Sequence, residues 1–316
     1  MTPLESVPNV SEGRDPAAVG AIAAAFASAG ARVADTHVDG DHNRAVITLL
    51  GSDDALEEGL LRGIDEACRR IDLSRHVGIH PRVGAADVVP VVPLDGESLS
   101  RALAVAHTVA RRTGEELRVP VFLYGLLGGG LRPSFFRRGG PAELVRRLGA
   151  GELEPAYGPR RIDERSGAVL VGVRDPLVAY NVALGGSLAT AQEVAAAVRE
   201  ASGGLRGVQA LGLELADGTV QVSTNIVDPG ATAPHELVER IAHEATARGA
   251  SVGRGELVGL IPARCVVDAA IAADVGVAAA VGADGLPTDA ALEVAAAALR
   301  LDELAADRVL EWHLVR

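Results

Sequence analysis

Apolar positions along the first half of the chain switch between two periods. Continuous or alternating apolar runs, typical of strands, are separated by stretches with helical spacing. The pattern predicts helices at 16–29, 53–71 and 96–113 and strands at 32–38, 44–50, 86–93 and 120–124. The order near the start is therefore helix, strand, strand, helix, strand, which favours a sheet with helices packed on it.

The second half of the chain repeats this rhythm. It predicts strands at 177–184, 208–216, 219–226 and 251–257 and helices at 187–201 and 233–248. Asp217 and Gly218 stand between two alternating apolar runs, which is the strongest short-range signal of a hairpin. The order β-α-β-β-α-β is the split βαβ, or ferredoxin-like, pattern. We therefore expect an α/β (α+β) protein of two sandwich halves, each a mixed sheet under helices.

Length and composition agree with a globular protein. The chain has 316 residues, a length that suits two domains of ~150 residues each. Hydrophobic residues make up 48% of the chain, so a sizeable core can be buried. No uncharged apolar run reaches ~18 residues, so no transmembrane helix is predicted, and the N-terminus has no secretory pattern. Cys68 and Cys265 are the only cysteines. Two isolated cysteines form no disulfide framework, so a cytoplasmic location is the simplest expectation.

The charge pattern excludes several chemistries. A net charge of −12 argues against binding to a nucleic-acid backbone. The 30 basic residues are all arginines, so the chain has no P-loop lysine and no lysine for a Schiff base or a general base. Any anion must be bound by arginine, protonated histidine, backbone N–H groups or helix N-termini.

One segment breaks the alternation of strands and helices. Residues 126–161 contain three consecutive glycines, at 128–130, and several arginines. A long connection of this composition inside a compact protein is usually functional or mobile. A solvated surface loop is an equally good interpretation.

His80 is the first candidate for chemistry. It lies in the segment 76–84, HVGIHPRVG, which we expect to be a loop between a helix and a strand. Pro81 disfavours helical backbone at His80, and loops on rigid scaffolds often carry catalytic residues. A lone histidine is more often structural. His76 suggests a metal pair with His80, but that spacing faces one side only in a helix, and Gly78 and Pro81 argue against one, so no zinc site is expected.

Three further segments combine polar residues with turn signals. The segment 37–44 contains carboxylates, imidazoles and an arginine, 7–14 precedes a predicted helix, and 222–226 ends a strand. Each also has a plain interpretation. Asp, Gly and Asn are common in turns, Ser11 or Asp15 could cap the helix, and strand ends are often polar. No GxSxG elbow and no GxGxxG after a strand is present.

Together these segments resemble the glutamate formimidoyltransferase family. The matching pieces, in the family's order, are VPNVSEGRD at 7–15, DHNR at 41–44, HPRVGAADVVPVVP at 80–93, ELRVPVFLYG at 116–125, GP at 158–159, VAYNVAL at 178–184, VSTNI at 222–226 and LVGLIP at 257–262. Each piece alone is weak, but the ordered set is specific and covers nearly the whole chain. The resemblance implies a transferase unit without a fused cyclodeaminase domain.

The resemblance implies a fold and a reaction. It implies N- and C-terminal α/β subdomains at 1–176 and 177–316, a homodimer, and a folate held between the subdomains. It implies transfer of a formimino group from N-formimino-L-glutamate to N5 of tetrahydrofolate, in histidine degradation and one-carbon metabolism, with no nucleic-acid or membrane partner. The implied folate-binding stretch consists of Gly158, Pro159, Arg160, Arg161, Ile162, Asp163, Glu164, Arg165, Ser166 and Gly167.

By this resemblance His80 is the catalytic residue. A histidine near neutral pH can accept a proton and then donate it. We hypothesise that Asp39 orients His80 or stabilises its imidazolium. We also hypothesise that Arg44, Arg82 and Arg174 bind carboxylates of the donor or of the folate tail.

The chain departs from the family pattern at three places. Ile79 stands where the family usually has Glu, Asp175-Pro176 replaces a basic-apolar pair, and the middle of the stretch 158–167 is more charged than usual. These departures keep two alternatives open. One is a folate-dependent formimino or formyl transferase with another donor, such as formiminoglycine. The other is a folate-binding paralogue without turnover. A metal-dependent hydrolase ranks last.

Overall fold

The computed structural model describes residues 2–274 and 280–315. The chain divides into two compact units, Met1–Asp175 (unit 1) and Pro176–Arg316 (unit 2). The helices of the described residues are α1 (Pro16–Ala27), α2 (Asp53–Arg70), α3 (Leu99–Glu115), α4 (Pro133–Arg137), α5 (Gly140–Gly149), α6 (Leu188–Val198), α7 (Pro234–Ala247), α8 (Ala263–Ala273) and α9 (Asp289–Ala298). The strands are β1 (Leu4–Ser6), β2 (Asn9–Val10), β3 (Arg32–Asp39), β4 (Arg44–Gly51), β5 (Ala86–Val92), β6 (Val121–Gly125), β7 (Val169–Val173), β8 (Val178–Gly185), β9 (Val208–Glu214), β10 (Val220–Ile226) and β11 (Ser251–Val258).

Unit 1 contains a mixed sheet of seven strands. Its order is β1-β4-β2-β5-β7-β6, with β3 added beside β4. Strands β5, β7 and β6 run parallel, whereas β1, β2 and β3 run antiparallel to β4. Phe26 of α1, Leu60 of α2 and Val105 of α3 are buried in one core with residues of this sheet. Side-chain oxygens cap two helices: Ser52 caps α2, and Asp15, one of the two candidates for α1, caps that helix.

The glycine- and arginine-rich segment is structured, which corrects the expectation of a long irregular connection. It forms α4 and α5, and their Phe136 and Leu144 are buried in a second core of unit 1 together with Phe122 and Tyr124. The rings of Phe122 and Phe136 lie 5.3 Å apart. The sequence gives little sign of these helices because both are short and α5 begins at Gly140, directly after Gly139.

Unit 2 has the predicted split βαβ connectivity. Its four strands lie in the order β11-β8-β10-β9, so β8 and β9, joined through α6, are separated by β10. Every pair in this sheet is antiparallel. The mixed sheet expected for both halves is therefore found in unit 1 alone. Tyr180, Val222 and Leu237 lie fully buried in the core between this sheet and its helices.

Three strands of unit 1 are absent from the prediction. Strands β1 and β2 span only three and two residues, too short for a periodic signal. Strand β7 is buried along its whole length, as a central parallel strand is, so it shows no alternation. None of the helices in the described part of the chain combines the length and apolar character needed to cross a membrane.

Candidate active site

Three segments that the sequence singled out meet at one end of unit 1. Asn43, in the turn after β3, accepts a hydrogen bond from the N–H of Gly13 at 2.9 Å and donates one to the carbonyl of Val77 at 3.0 Å. Ser11 donates to the carbonyl of Gly84 at 2.8 Å. Residues 11–13, the turn at 43 and the loop 76–84 are thereby tied together by buried polar groups.

This convergence depends on backbone that few residues can adopt. Asn43 has a φ of 47°, a left-handed conformation that asparagine tolerates better than most residues. A Cβ on Gly13 would lie 2.1 Å from the carbonyl oxygen of Asp39, so only glycine fits there. Asn43 of the turn after β3 and Gly13 of the segment 7–14 are thus needed for the same contact between these two segments.

His80 lies half-buried in the loop between α2 and β5, as predicted. Nη1 of Arg44 donates to its Nε2 at 2.6 Å. Since a guanidinium has no acceptor, Nε2 holds a lone pair and the other ring nitrogen carries the proton. A hydrogen bond joins His80 to the backbone of Pro81, whose only backbone hydrogen-bonding group is its carbonyl.

The surroundings of His80 keep its imidazole uncharged. Burial, followed by the charges of Arg44 and Arg137, holds the pKa of His80 well below its ordinary value. Burial, and then the charge of Arg137, also lowers the pKa of Arg44 to about 10. Arg44 still remains protonated at neutral pH. His80 is therefore a neutral base placed in a cationic site.

Asp39 does not contact His80 directly, which corrects the expected orienting contact. Its Oδ1 accepts from the backbone N–H groups of Asp41 and His42 at 2.9 and 2.8 Å, and its Oδ2 pairs with Nδ1 of His42. The His42 ring stands edge-on to the His80 ring, with centroids 6.1 Å apart. Although burial opposes ionisation, the hydrogen bonds from His42 lower the pKa of Asp39 to about 2. Asp39 can thus act on His80 only through His42.

Arg82 braces the loop that carries His80. Its Nη2 and Nε donate to the carbonyl of His80 at 2.6 and 3.1 Å, and its Nη1 lies 2.7 Å from Nε2 of His76. A carboxylate bound by Arg82 would compete with these contacts. Its predicted role in substrate binding therefore stays a prediction, while its contact with the loop backbone is direct.

The geometry around His76 and the two cysteines bears on other possible chemistries. Nε2 of His76 faces Arg82 and the carbonyl of Asn43. Among residues 2–274 and 280–315, no group of three or more His, Cys, Asp and Glu side chains is arranged to hold a metal ion. Burial raises the pKa of the thiols of Cys68 and Cys265 to about 12, so neither is a ready nucleophile.

The site includes an ion pair that sequence reasoning missed. Asp87, on β5, is 2% exposed. Its Oδ1 accepts from the N–H of Val83 at 2.6 Å, and its Oδ2 pairs with Nη2 of Arg137 from α4. The available signal was a carboxylate inside the apolar run 85–93, because such a residue is rarely buried without a partner. Its partner, 50 residues away, could not be identified from spacing.

The stretch 158–167 begins and ends at glycines with left-handed backbone. Gly158 has a φ of 86° and Gly167 one of 73°. Gly167 pairs with Gly84 of the His80 loop. Between them, Arg160, Arg161 and other charged side chains are exposed, and Arg160 pairs with Glu154 at 2.9 Å. One end of the stretch therefore adjoins the candidate site, while its middle lies at the surface.

Arg174 follows strand β7, and its predicted role in binding a carboxylate of the donor or of the folate tail stays a prediction. Its Nη1 donates to the carbonyl of Asp175 at 2.9 Å. Gly167, beside the His80 loop, precedes the start of that strand. The charges of Arg174 and Arg137 both act on the buried Tyr124 of β6.

Comparison with known proteins decides the family. Residues 3–174 match the model of the formiminotransferase domain, N-terminal subdomain, and residues 179–276 match that of the formiminotransferase domain. The chain belongs to the formiminotransferase family. The resemblance drawn from the motifs is thereby confirmed, and this formiminotransferase is an enzyme of the one-carbon transferase class.

Curated relatives of this formiminotransferase cover most of its length. It is 34% identical over 275 residues to the glutamate formimidoyltransferase of Streptococcus pyogenes serotype M1, covering 84% of this chain and 91% of the relative. It is 34% identical over 281 residues to the glutamate formimidoyltransferase of Thermoplasma acidophilum, with 85% and 91% covered. It is 35% identical over 278 residues to the formimidoyltransferase-cyclodeaminase of Gallus gallus, covering 84% of this chain and 51% of the relative.

Proposed function

We propose that this enzyme transfers the formimino group of N-formimino-L-glutamate to N5 of tetrahydrofolate, with His80 as the acid–base residue. The observation that carries the proposal is the neutral His80 with its Nε2 lone pair turned toward Arg44. Two relatives named glutamate formimidoyltransferase, each 34% identical, support the donor. The family resemblance supports tetrahydrofolate as the co-substrate.

The reaction requires one proton to be moved between two nitrogens. N5 of tetrahydrofolate attacks the amidine carbon of the donor and forms a tetrahedral intermediate. His80 accepts the proton that N5 loses and returns it to the glutamate nitrogen as the carbon–nitrogen bond to glutamate breaks. One group that is first a base and then an acid completes this sequence, which is a common task of histidine. The products are N5-formimino-tetrahydrofolate and glutamate.

Arg44 must leave Nε2 of His80 before that nitrogen can accept a proton. A carboxylate is a stronger partner for a guanidinium than an imidazole is. We infer that a donor carboxylate draws Arg44 away from His80, so that binding of the donor and activation of the base occur together. This step retains the carboxylate-binding role predicted for Arg44 and explains why it also contacts His80.

Asp39 and His42 stabilise His80 in the state in which its imidazole is protonated. When His80 gains a proton, the nearby carboxylate of Asp39 offsets part of the new charge through His42. His42 therefore transmits the effect that we first assigned to Asp39 alone. The ring contact between His42 and His80 is the geometric basis for this role.

We also propose that the stretch 158–167 contributes to folate binding. Its end at Gly167 adjoins the His80 loop, and the exposed Arg160 and Arg161 suit the carboxylates of a folate tail. The subdomain limits of 1–176 and 177–316 and the homodimer remain predictions from the family, and the cytoplasmic location remains a prediction from the cysteine content.

The first test is a direct transfer assay. Purified protein is mixed with tetrahydrofolate and N-formimino-L-glutamate, the mixture is acidified, and methenyl-tetrahydrofolate is read by absorbance. Signal from the wild type but not from His80→Ala supports both the reaction and the role of His80. Equal signal from both proteins removes His80 from the mechanism. A parallel reaction with formiminoglycine tests the second donor, which the departure from the family pattern at Ile79 left open.

A further inference from the structure

Arg137 is a cation near His80 that keeps one buried donor without a partner. Its Nη2 pairs with Asp87, while its Nε is buried and has no hydrogen-bond partner. An unsatisfied donor on a buried charged group is costly, and such a group in a folded protein usually indicates a function or a missing ligand. The side chain as a whole retains 16% exposure, so it is not sealed from solvent.

Cations exceed anions around this position. Arg44, Arg82 and Arg137 repel one another electrostatically. The charge of Arg137 disfavours protonation of the other two guanidiniums. Two carboxylates offset part of this charge. Asp87 pairs with Arg137 and also acts on Arg44 and Arg82. Asp39 pairs with His42 and also acts on Arg44. An anion brought by a substrate would relieve this repulsion.

Holding α4 in place does not require Arg137. Phe136, the preceding residue, is 3% exposed and packs against Phe122. Arg147 of α5 donates to the carbonyl of Phe135 at 2.8 Å and stacks over its ring at 4.7 Å. The helix is thus anchored through Phe135 and Phe136, the two residues before Arg137. Asp87 then serves to orient Arg137 rather than to fix the helix.

We propose that Arg137 binds a carboxylate of the formimino donor, oriented for this contact by Asp87. This inference rests on the proposed function for the identity of the donor. Its planar guanidinium offers the carboxylate a second N–H beside the one given to Asp87. Arg137 fixes the donor, while Arg44 responds to it by releasing His80.

Binding of an unreactive donor analogue tests the proposal. The probe is N-acetyl-L-glutamate, which has the carboxylates but no formimino group, and calorimetry gives its Kd. Arg137→Gln should raise that Kd about 10-fold or more, the loss expected for a hydrogen bond to a charged group. Arg138→Gln is the matched control, because Arg138 is exposed on the adjacent position and should leave the Kd unchanged. An unchanged Kd in Arg137→Gln overturns the proposal.

A second variant covers the risk that the first does not fold. Arg137→Lys keeps a cation beside Asp87 and loses the Nε donor, so it should also raise the Kd for the analogue about 10-fold. A Kd equal to that of the wild type overturns the proposal. The affinity for tetrahydrofolate should stay unchanged in both variants, and a parallel loss would show a collapsed site and overturn it too.

The transfer assay separates this inference from the proposed function. If the wild type transfers a formimino group and Arg137→Gln leaves the donor KM unchanged, only the role of Arg137 fails. If the wild type binds the analogue through Arg137 but transfers nothing to tetrahydrofolate, only the proposed reaction fails. A raised donor KM with an unchanged folate KM supports both.

Discussion

Around His80 in unit 1, buried polar side chains bond to the backbone of distant segments, whereas the core of unit 2 joins apolar side chains on a regular antiparallel sheet. Asn43 alone links two segments that lie 30 and 34 residues away from it. In unit 2, Val222 and Leu237 contribute only packing to the core. We therefore expect substitutions in the two regions to have different effects on stability and activity.

This difference predicts which substitutions change stability and which change activity. The stabilisation from apolar packing is roughly proportional to the apolar area buried, and such packing tolerates rearrangement. A buried polar network fails when one member is lost, because its partners remain desolvated and unpaired. We expect substitutions in the core of unit 2 to change mainly the free energy of unfolding, and those around His80 to change activity as well.

The largest effect on stability is expected from Leu237→Ala in unit 2. Leu237 is fully buried, and removing such a side chain costs about 2–5 kcal/mol through lost transfer energy and a cavity. Trp312, the single tryptophan, lies in unit 2, so its fluorescence in a urea titration reports this loss. Transfer activity per folded molecule in buffer should stay within twofold of the wild type. A large fall in kcat would show that the two regions are coupled.

Asn43→Ala should affect both stability and activity. It leaves the N–H of Gly13 and the carbonyl of Val77 without their partner, at a cost of about 1–3 kcal/mol. The loop of His80 also loses one tie, so kcat/KM should fall about 10-fold or more. Gln192→Ala, which removes an exposed amide from α6, serves as the control for both measurements. Wild-type kcat/KM in Asn43→Ala would contradict the proposed link between this network and His80.

Much of the fold could be predicted because the signals are local. Helix α2 was placed within one residue at its end, and the Asp217-Gly218 turn located the β9–β10 hairpin. Strand β7 and helices α4 and α5 were missed because a buried parallel strand shows no alternation and short helices between glycines show little periodicity.

The candidate site was predicted less completely than the fold. The loop position of His80 followed from Gly78 and Pro81, but its contact with Arg44 spans 36 residues and has no signature in spacing. The same applies to the pair of Asp87 and Arg137. Side-chain partners across a sheet depend on topology, so they could be assigned only after the fold was known.

Acidification should lower the free energy of unfolding through the titration of His80. The pKa of His80 is depressed in the folded state and is about 6.5 in an unfolded chain. Below that value the unfolded state binds more protons, so folding stability falls by about 1.4 kcal/mol per pH unit from this group. Asp39, with a pKa of about 2, adds its loss only at lower pH, below the ordinary range of a carboxyl.

Urea unfolding at pH 7.0 and 5.5, followed by circular dichroism, measures this effect. The wild type should lose about 1.3 kcal/mol more than His80→Gln does over this interval, from an unfolded pKa of about 6.5. An equal loss in both proteins would show that His80 titrates normally in the folded state, and that its imidazole is not kept neutral by Arg44 and burial.

The smallest effect, of opposite sign, is expected from a glycine outside both regions. Gly20 lies within α1 of unit 1, and a Cβ there would meet no atom within 4 Å. Gly20→Ala should therefore raise the free energy of unfolding by about 0.5–1 kcal/mol, because alanine loses less backbone freedom in a helix. Gly13→Ala, in the same unit, should do the opposite, since its Cβ would lie 2.1 Å from the carbonyl oxygen of Asp39. Thermal unfolding of the two variants compares them directly. A destabilised Gly20→Ala would mean that the strict packing seen around His80 extends to α1.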